Sequence, residues 1–299
     1  MTLVTAWIRS TGGLHELVVA ADSRLSGGGA TWDACPKIVG LPRTDAVVAF
    51  SGFTDLGYPT LVQWAQAVRS NRAMQERRYD VTDLSHLLHD VLNQMLDLRL
   101  VDGVVLESAL LEKRDTNFLL AGWSWRYQRF YIWRYYFDPN RRNYMREKVK
   151  PSSPRVHVLF MGDAHEMARS AYKDLRRERG LTLESPLNME PFEVLRDLIR
   201  SGTHLSVGGA PQVVKIYRHM NVEPFGVMWR RAPGSEPIPS YGGRPLMDYE
   251  KPYYSFIDTD DPGAHANVPA VRGVQARAVG ADDDARPTHR SKPTEPHNR

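Results

Sequence analysis

The chain has 299 residues, 42% of them hydrophobic, a formal net charge of +4 and a single cysteine, Cys35. That length and apolar content can build one sizeable core, so one domain plus a tail is expected in preference to two small domains. One cysteine excludes an internal disulfide framework and points to a reducing compartment; no apolar run is long enough to span a bilayer, so a cytoplasmic protein without a membrane partner is expected.

The apolar segments 3–8 and 17–21 flank STGGLHE, a turn-rich stretch, and predict a β-hairpin. A second hairpin is predicted from KIVGL and AVVAF on either side of PRTD. From Thr60 to Arg69 and from Val81 to Leu100 the apolar spacing changes to three and four, which predicts two helices, the second capped by Thr82. FLLAGWSWRYQRFYIWRYYF, residues 118–137, predicts a third hairpin around its polar RYQR. Aromatics interleaved with arginine can also stack bases, but sheet packing is the simpler reading and no nucleic-acid partner is expected.

VHVLFMG reads as a strand, followed by a helix carrying Met167, Ala171 and Leu175 and stopped by Gly180. Another helix runs through Phe192, Leu195 and Ile199 to Gly202, and two strands follow near QVVKIY and FGVMWR. Basic residues bunch at Arg141, Arg142, Arg146, Lys148 and Lys150, and again at Lys173, Arg176, Arg177 and Arg179; both groups suit solvated faces. Strands, two helices, strands, two helices and strands, without βαβ alternation, predict an α+β fold of two stacked antiparallel sheets with helices outside. Residues 232–257 combine Pro and Gly with aromatics and are expected to pack on a body spanning 1–231. Residues 258–299 contain no Leu, Ile, Met or aromatic and are expected to be a disordered tail.

Chemistry is concentrated in the first sixty residues. An N-terminal Thr2, exposed by removal of Met1, would need a base for its weakly acidic hydroxyl, and a free α-amine can serve. A nearby lysine would lower the pKa of that amine, a carboxylate would fix the lysine, and a glycine N–H could receive an oxyanion. Asp22 in VVAADSR, Lys37 in CPKIV and Gly52 in AFSGFTD supply these parts, with Lys37 fifteen residues after Asp22 and Gly52 fifteen after Lys37. Taken singly, each has an ordinary reading as a turn cap, a surface strand residue or a turn glycine.

In this order and at these spacings, segment 2–55 resembles the β-type subunits of the proteasome and their bacterial relatives, which are N-terminal nucleophile hydrolases. FLLAGW, MGDAHEMA and SVGGAPQVVKI extend the resemblance in family order across 1–231. It implies a four-layer αββα sandwich of two antiparallel sheets flanked by helices. It also implies a threonine peptidase acting through Thr2, Asp22, Lys37 and Gly52. Asp163 stands where the family usually has a serine and His204 where it has an aspartate; with Ser206 they would support the amine. By the same alignment Leu25, Cys35, Val39, Phe50 and Thr54 line the substrate pocket, which suits small apolar side chains. The resemblance further implies no cofactor or metal, peptide or unfolded-protein substrates, a homo-oligomer or a ring with paralogues, and room for an ATPase unfoldase as partner. A non-catalytic assembly subunit and a small-amide hydrolase on the same fold are the alternatives.

Overall fold

Strand β1 (Leu3–Arg9) sends alternate side chains to opposite faces, and both faces are buried, which is why it reads as a nearly unbroken apolar run. The computed structural model describes residues 2–10, 13–27, 29–98, 106–153, 155–263, 265 and 266, without the side chains of 106–108, 265 and 266. Within these residues the fold is mixed α+β, with six helices.

β1 lies between β10 (Val158–Gly162) and β2 (Glu16–Ala21), both antiparallel to it. The sheet continues through β11 (Gln212–Tyr217), β12 (Val222–Trp229), β13 (Ile238–Tyr241) and β14 (Arg244–Pro245). A second sheet has the order β5 (Ile38–Gly40), β6 (Ala46–Ser51), β7 (Asn117–Ser124), β8 (Arg129–Asp138) and β9 (Asn143–Lys148). A small hairpin, β3 (Leu25–Gly27) with β4 (Ala30–Trp32), stands apart from both.

The alternation along the strands sorts the core into three apolar clusters. Leu3 and Trp7 of β1 pack with residues of α5 (His165–Glu178) and α6 (Glu190–Ser201), such as Ala168, Phe192 and Leu195. Val4 and Ala6 instead meet Val47, Ala49, Leu119 and Ala121 of the second sheet. On that sheet's other side, Val48, Phe50 and Phe118 pack with Trp64 of α1 (Thr54–Ser70) and with Leu84 and Leu88 of α3 (Val81–Asp97). The short helices α2 (Arg72–Gln75) and α4 (Leu106–Asp115) complete the set.

Several elements differ from expectation for identifiable reasons. Helix α1 begins at Thr54 and carries Pro59 in its interior, where the missing N–H leaves the Asp55 carbonyl without its helical donor; Gly57 leaves room for the Phe50 ring, which a Cβ there would meet at 2.2 Å. Asp80, not Thr82, caps α3: it accepts from Thr82 N at 3.0 Å while Asp83 accepts from Asp80 N at 2.9 Å. The expected end of that helix at Leu100 lies outside the described residues. Strand β9 is hidden in the sequence by Arg146, Glu147 and Lys148, charges typical of a sheet edge. The aromatic hairpin packs within its sheet, Tyr131 stacking on Trp133 at 4.9 Å.

The expectation that 258–299 form a tail needs correction at its start. β15 (Phe256–Asp258) pairs in parallel with β12, so the first sheet is not wholly antiparallel, and β16 (His265–Ala266) pairs with β15. Thr259 is fully buried and its hydroxyl donates to the Met228 carbonyl at 3.0 Å, while Asp258 and Asp260 pair with Arg230 and Arg200. Polar side chains anchor this stretch, and a count of apolar residues does not detect them. Residues 267–299 lie outside the described residues.

Candidate active site

The site forms where β1 starts, β10 ends and the loops after β2 and α6 meet. Leu3 pairs with Gly162, so Thr2 lies against the strand end. Gly162 has φ 110°, and a Cβ there would come within 1.9 Å of the Thr2 carbonyl oxygen, so only glycine lets the two chains approach. Thr2 is fully buried and its Oγ1 has no hydrogen-bond partner. The Thr2 nitrogen donates to Asp163 Oδ1 at 2.7 Å.

Asp22 follows β2 directly and organises the surrounding backbone. Its Oδ1 accepts from Leu3 N at 3.0 Å and from Lys37 Nζ at 2.8 Å, and its Oδ2 accepts from Arg24 N and Gly208 N, both at 3.1 Å. The Lys37 and Asp22 side chains are both 0% exposed. Burial pushes Lys37 below the ordinary lysine value against the opposing pull of Asp22, and burial likewise pushes Asp22 up despite Lys37 and its amide donors. For both groups the loss of water opposes the charged form and the 2.8 Å ion pair favours it.

Asp163 is also the hub of the supporting groups. Its Oδ2 accepts from the Ser206 hydroxyl, and Ser206 Oγ lies 2.9 Å from His204 Nδ1, itself 3.9 Å from Asp163 Oδ2. Asp163, Ser206 and His204 therefore form one chain of polar contacts ending on the Thr2 nitrogen. Gly52 directly follows β6 with φ 114°, and a Cβ would come within 2.5 Å of the Asp115 carbonyl oxygen. Beside it opens a cleft of about 270 Å³ bordered by Asp163, Asn117, Arg114, Arg134 and His165. Among the described residues no three His, Cys, Asp or Glu side chains cluster as a metal site.

The five expected pocket residues are not gathered around this cleft. Phe50 is fully buried in the helix-side cluster, with Val39 packed against that cluster. The Tyr58 ring lies 4.9 Å from the Phe50 ring, and its hydroxyl donates to the Pro36 carbonyl at 3.0 Å, beside buried Cys35. Tyr58 thus packs between the Phe50 ring and the Pro36 backbone. Leu25 lies half-buried in β3, and Thr54 opens α1.

No family model and no curated protein matches the sequence. Among solved structures, the chain is similar to the Anbu (Gly-1) mutant from Hyphomicrobium sp. strain MC1. The TM-score is 0.49 and the identity 15%, over 74% of this chain and 85% of that chain.

Residues that the sequence left unmarked complete the site. Gln212 opens β11; its Oε1 accepts from Lys37 N at 3.0 Å, and its Nε2 donates to the Cys35 carbonyl at 2.7 Å and the Asp22 carbonyl at 3.2 Å. Arg24 forms a fork with Asp33 at 2.6 and 2.8 Å and donates to the Leu205 carbonyl, tying the loop after β2 to the loop that carries His204 and Ser206. A glutamine opening an otherwise apolar strand was the one visible signal. For Tyr58 and His165 there was none.

Proposed function

We propose that the chain is a proteasome-like N-terminal threonine hydrolase that cleaves peptide bonds once Met1 is removed. The two sheets, with their shared cluster and their separate helix-facing clusters, are read here as the four-layer sandwich of that class. The observation that carries this reading is the Asp163 carboxylate on the Thr2 nitrogen at 2.7 Å, next to a hydroxyl with no other partner. A carboxylate so placed suits the ammonium group that removal of Met1 would create.

In the proposed reaction Thr2 Oγ1 attacks the peptide carbonyl carbon and its proton passes to the α-amine. The oxyanion is received by the Gly52 N–H. Collapse breaks the C–N bond, and the α-ammonium returns the proton to the leaving amine. Water, deprotonated by the same amine, then hydrolyses the ester and regenerates the threonine. Lys37, held by Asp22 and depressed by burial, lowers the pKa of the amine through its charge. Asp163, with Ser206 and His204 behind it, orients that amine. No step uses a cofactor or metal.

The neutral side chains of Leu25, Cys35, Val39 and Thr54 disfavour a charged substrate group there, since it would lose hydration without a partner. With Tyr58 filling the centre, we assign the site to substrates with a small apolar side chain before the cleaved bond. Because Phe50 is core, Phe50→Ala would leave a void costing about 3–5 kcal/mol; Tyr58→Ala is the cleaner way to widen the site, and a fluorogenic peptide panel reads the change. Arg or Asp preference in that panel would refute the pocket assignment.

The filled pocket also favours a second reading, a non-catalytic assembly subunit. Intact mass followed by treatment with an epoxyketone or β-lactone separates the two. The peptidase reading expects loss of Met1 and an adduct on the peptide that begins at Thr2; a retained Met1 with no adduct leaves only the assembly reading.

A further inference from the structure

A second cavity, of about 790 Å³, opens between α5, β10 and the connections around 149–156 and 180–183. Its size falls within the range of small-molecule sites, roughly 300–1,000 Å³. Val156, Val158, Phe160, Leu181 and Leu183 give it mostly hydrocarbon walls.

Two polar groups on its lining residues, the Tyr172 hydroxyl and Arg176 Nη1, are buried with no well-formed hydrogen bond to any group but each other, the guanidinium lying 5.7 Å from the Tyr172 ring, on side chains only 6% and 5% exposed as whole residues. Such groups are rare in folded proteins because an unpaired buried donor is destabilising. The guanidinium of Arg176 is fixed from its other end, where Nη2 donates to the Thr182 and Ser185 carbonyls. Burial pushes the Tyr172 phenol up to about 12 against the opposing Arg176 charge, so it is a donor at neutral pH. Arg169, Lys173 and Arg177 stand at the rim, and no acidic side chain lines the cavity. Arg169 and Arg177 are paired with Glu166 and Asp174 of their own helix, whereas no carboxylate pairs with Lys173 or Arg176 among the described residues.

We propose that this cavity binds an amphiphilic monoanion, a carboxylate on an aliphatic chain. Arg176 and Tyr172 receive the carboxylate, Lys173 adds charge at the entrance, and the chain lies along Val156, Val158 and Leu181. An extended peptide fits poorly, because hydrocarbon walls offer its amides no partners. The site is independent of the hydrolase reading and uses none of its residues.

Calorimetric titration of sodium decanoate, below its micellar concentration, into the full chain tests this. One decanoate should bind per chain, with 1-decanol and decyltrimethylammonium at least tenfold weaker. Tyr172→Phe, which removes only the hydroxyl facing Arg176, should weaken decanoate by about tenfold, and Lys173→Glu by a similar factor. Val158→Trp, which fills the apolar end, should abolish binding while circular dichroism stays unchanged. Equal affinity for decanoate and decanol would overturn the proposal, as would unchanged binding in both Tyr172→Phe and Lys173→Glu. A sedimenting mass of twice the chain with no decanoate bound would assign the cavity to a second copy instead.

Discussion

Lys37 and Asp22 are withdrawn completely from water, so removing one leaves the other unpaired in the core. Lys37→Met should therefore do two things: lower turnover by several orders of magnitude, by losing the charge that tunes the amine, and lower unfolding free energy by about 3–5 kcal/mol. Thr2→Ala should abolish turnover at a much smaller cost in stability: it deletes a hydroxyl that bonds to nothing and one buried methyl, so a urea melt should lose only about 1 kcal/mol while activity disappears. Wild-type activity in Thr2→Ala would refute the proposed nucleophile. Legibility at this scale was uneven. Thr2, Asp22, Lys37 and Gly52 could be picked out because their chemistry dictates their types, whereas Tyr58 reads like any aromatic on a helix face until its ring is seen beside Phe50.

Among the elements, α3 and the β9–β10 connection each rest on one polar side chain. Asp80 accepts from Thr82 N, from the Ser124 hydroxyl and from Arg126 N, tying the start of α3 to the β7–β8 turn. Burial would raise its carboxyl, but these donors outweigh it and hold the carboxyl below its usual value. Its contribution is thus present at neutral pH and lost as pH falls through that lowered value. Asp80→Ala should cost about 2–3 kcal/mol, more than the ~1 kcal/mol of an ordinary cap, because the Ser124 and Arg126 donors lose their acceptor too. His157 works in the opposite sense. Burial lowers its pKa from 6.5, with Lys148 adding and the Val149 carbonyl opposing. The unfolded chain therefore takes up more protons below pH 6.5, and Tm should fall as pH drops from there towards the lowered value. His157→Gln can still donate to the Val149 carbonyl and should flatten that part of a Tm-against-pH profile.

For the whole molecule, the contacts that 256–260 make decide where the chain can be cut. Deleting from 258 removes the last residue of β15 and its partner strand β16, along with Thr259 and the Asp258 and Asp260 ion pairs, and should lower Tm. Deleting 269–299, which offers no Leu, Ile, Met or aromatic residue to a core, should leave Tm unchanged. Leu205 is 84% exposed, on the loop after α6, and Trp32 67% exposed, at the end of β4; Arg24 bonds to the Leu205 carbonyl and to Asp33 next to Trp32. Large apolar groups so placed fit a contact between copies, and we expect a homo-oligomer by sedimentation. Full peptidase activity from a monomer at micromolar concentration would contradict this. No described helix is long and apolar enough to cross a membrane.

The four longer helices and the pairing of the three predicted hairpins, β1–β2, β5–β6 and β7–β8, were legible in the sequence, because apolar periodicity is a local property that each segment carries with it. The four groups proposed to react were chosen from the sequence by type and spacing, since the proposed chemistry accepts only certain side chains. The contact of Asp163 with the Thr2 nitrogen, and of Ser206 and His204 behind it, depended on two loops far apart in the chain coming together. The packing of Tyr58 on Phe50, the parallel pairing of β15 with β12 and the burial of Thr259 were likewise decided only by the tertiary structure. Each is a contact between residues far apart in the chain, and no local pattern encodes which distant group will occupy a given space.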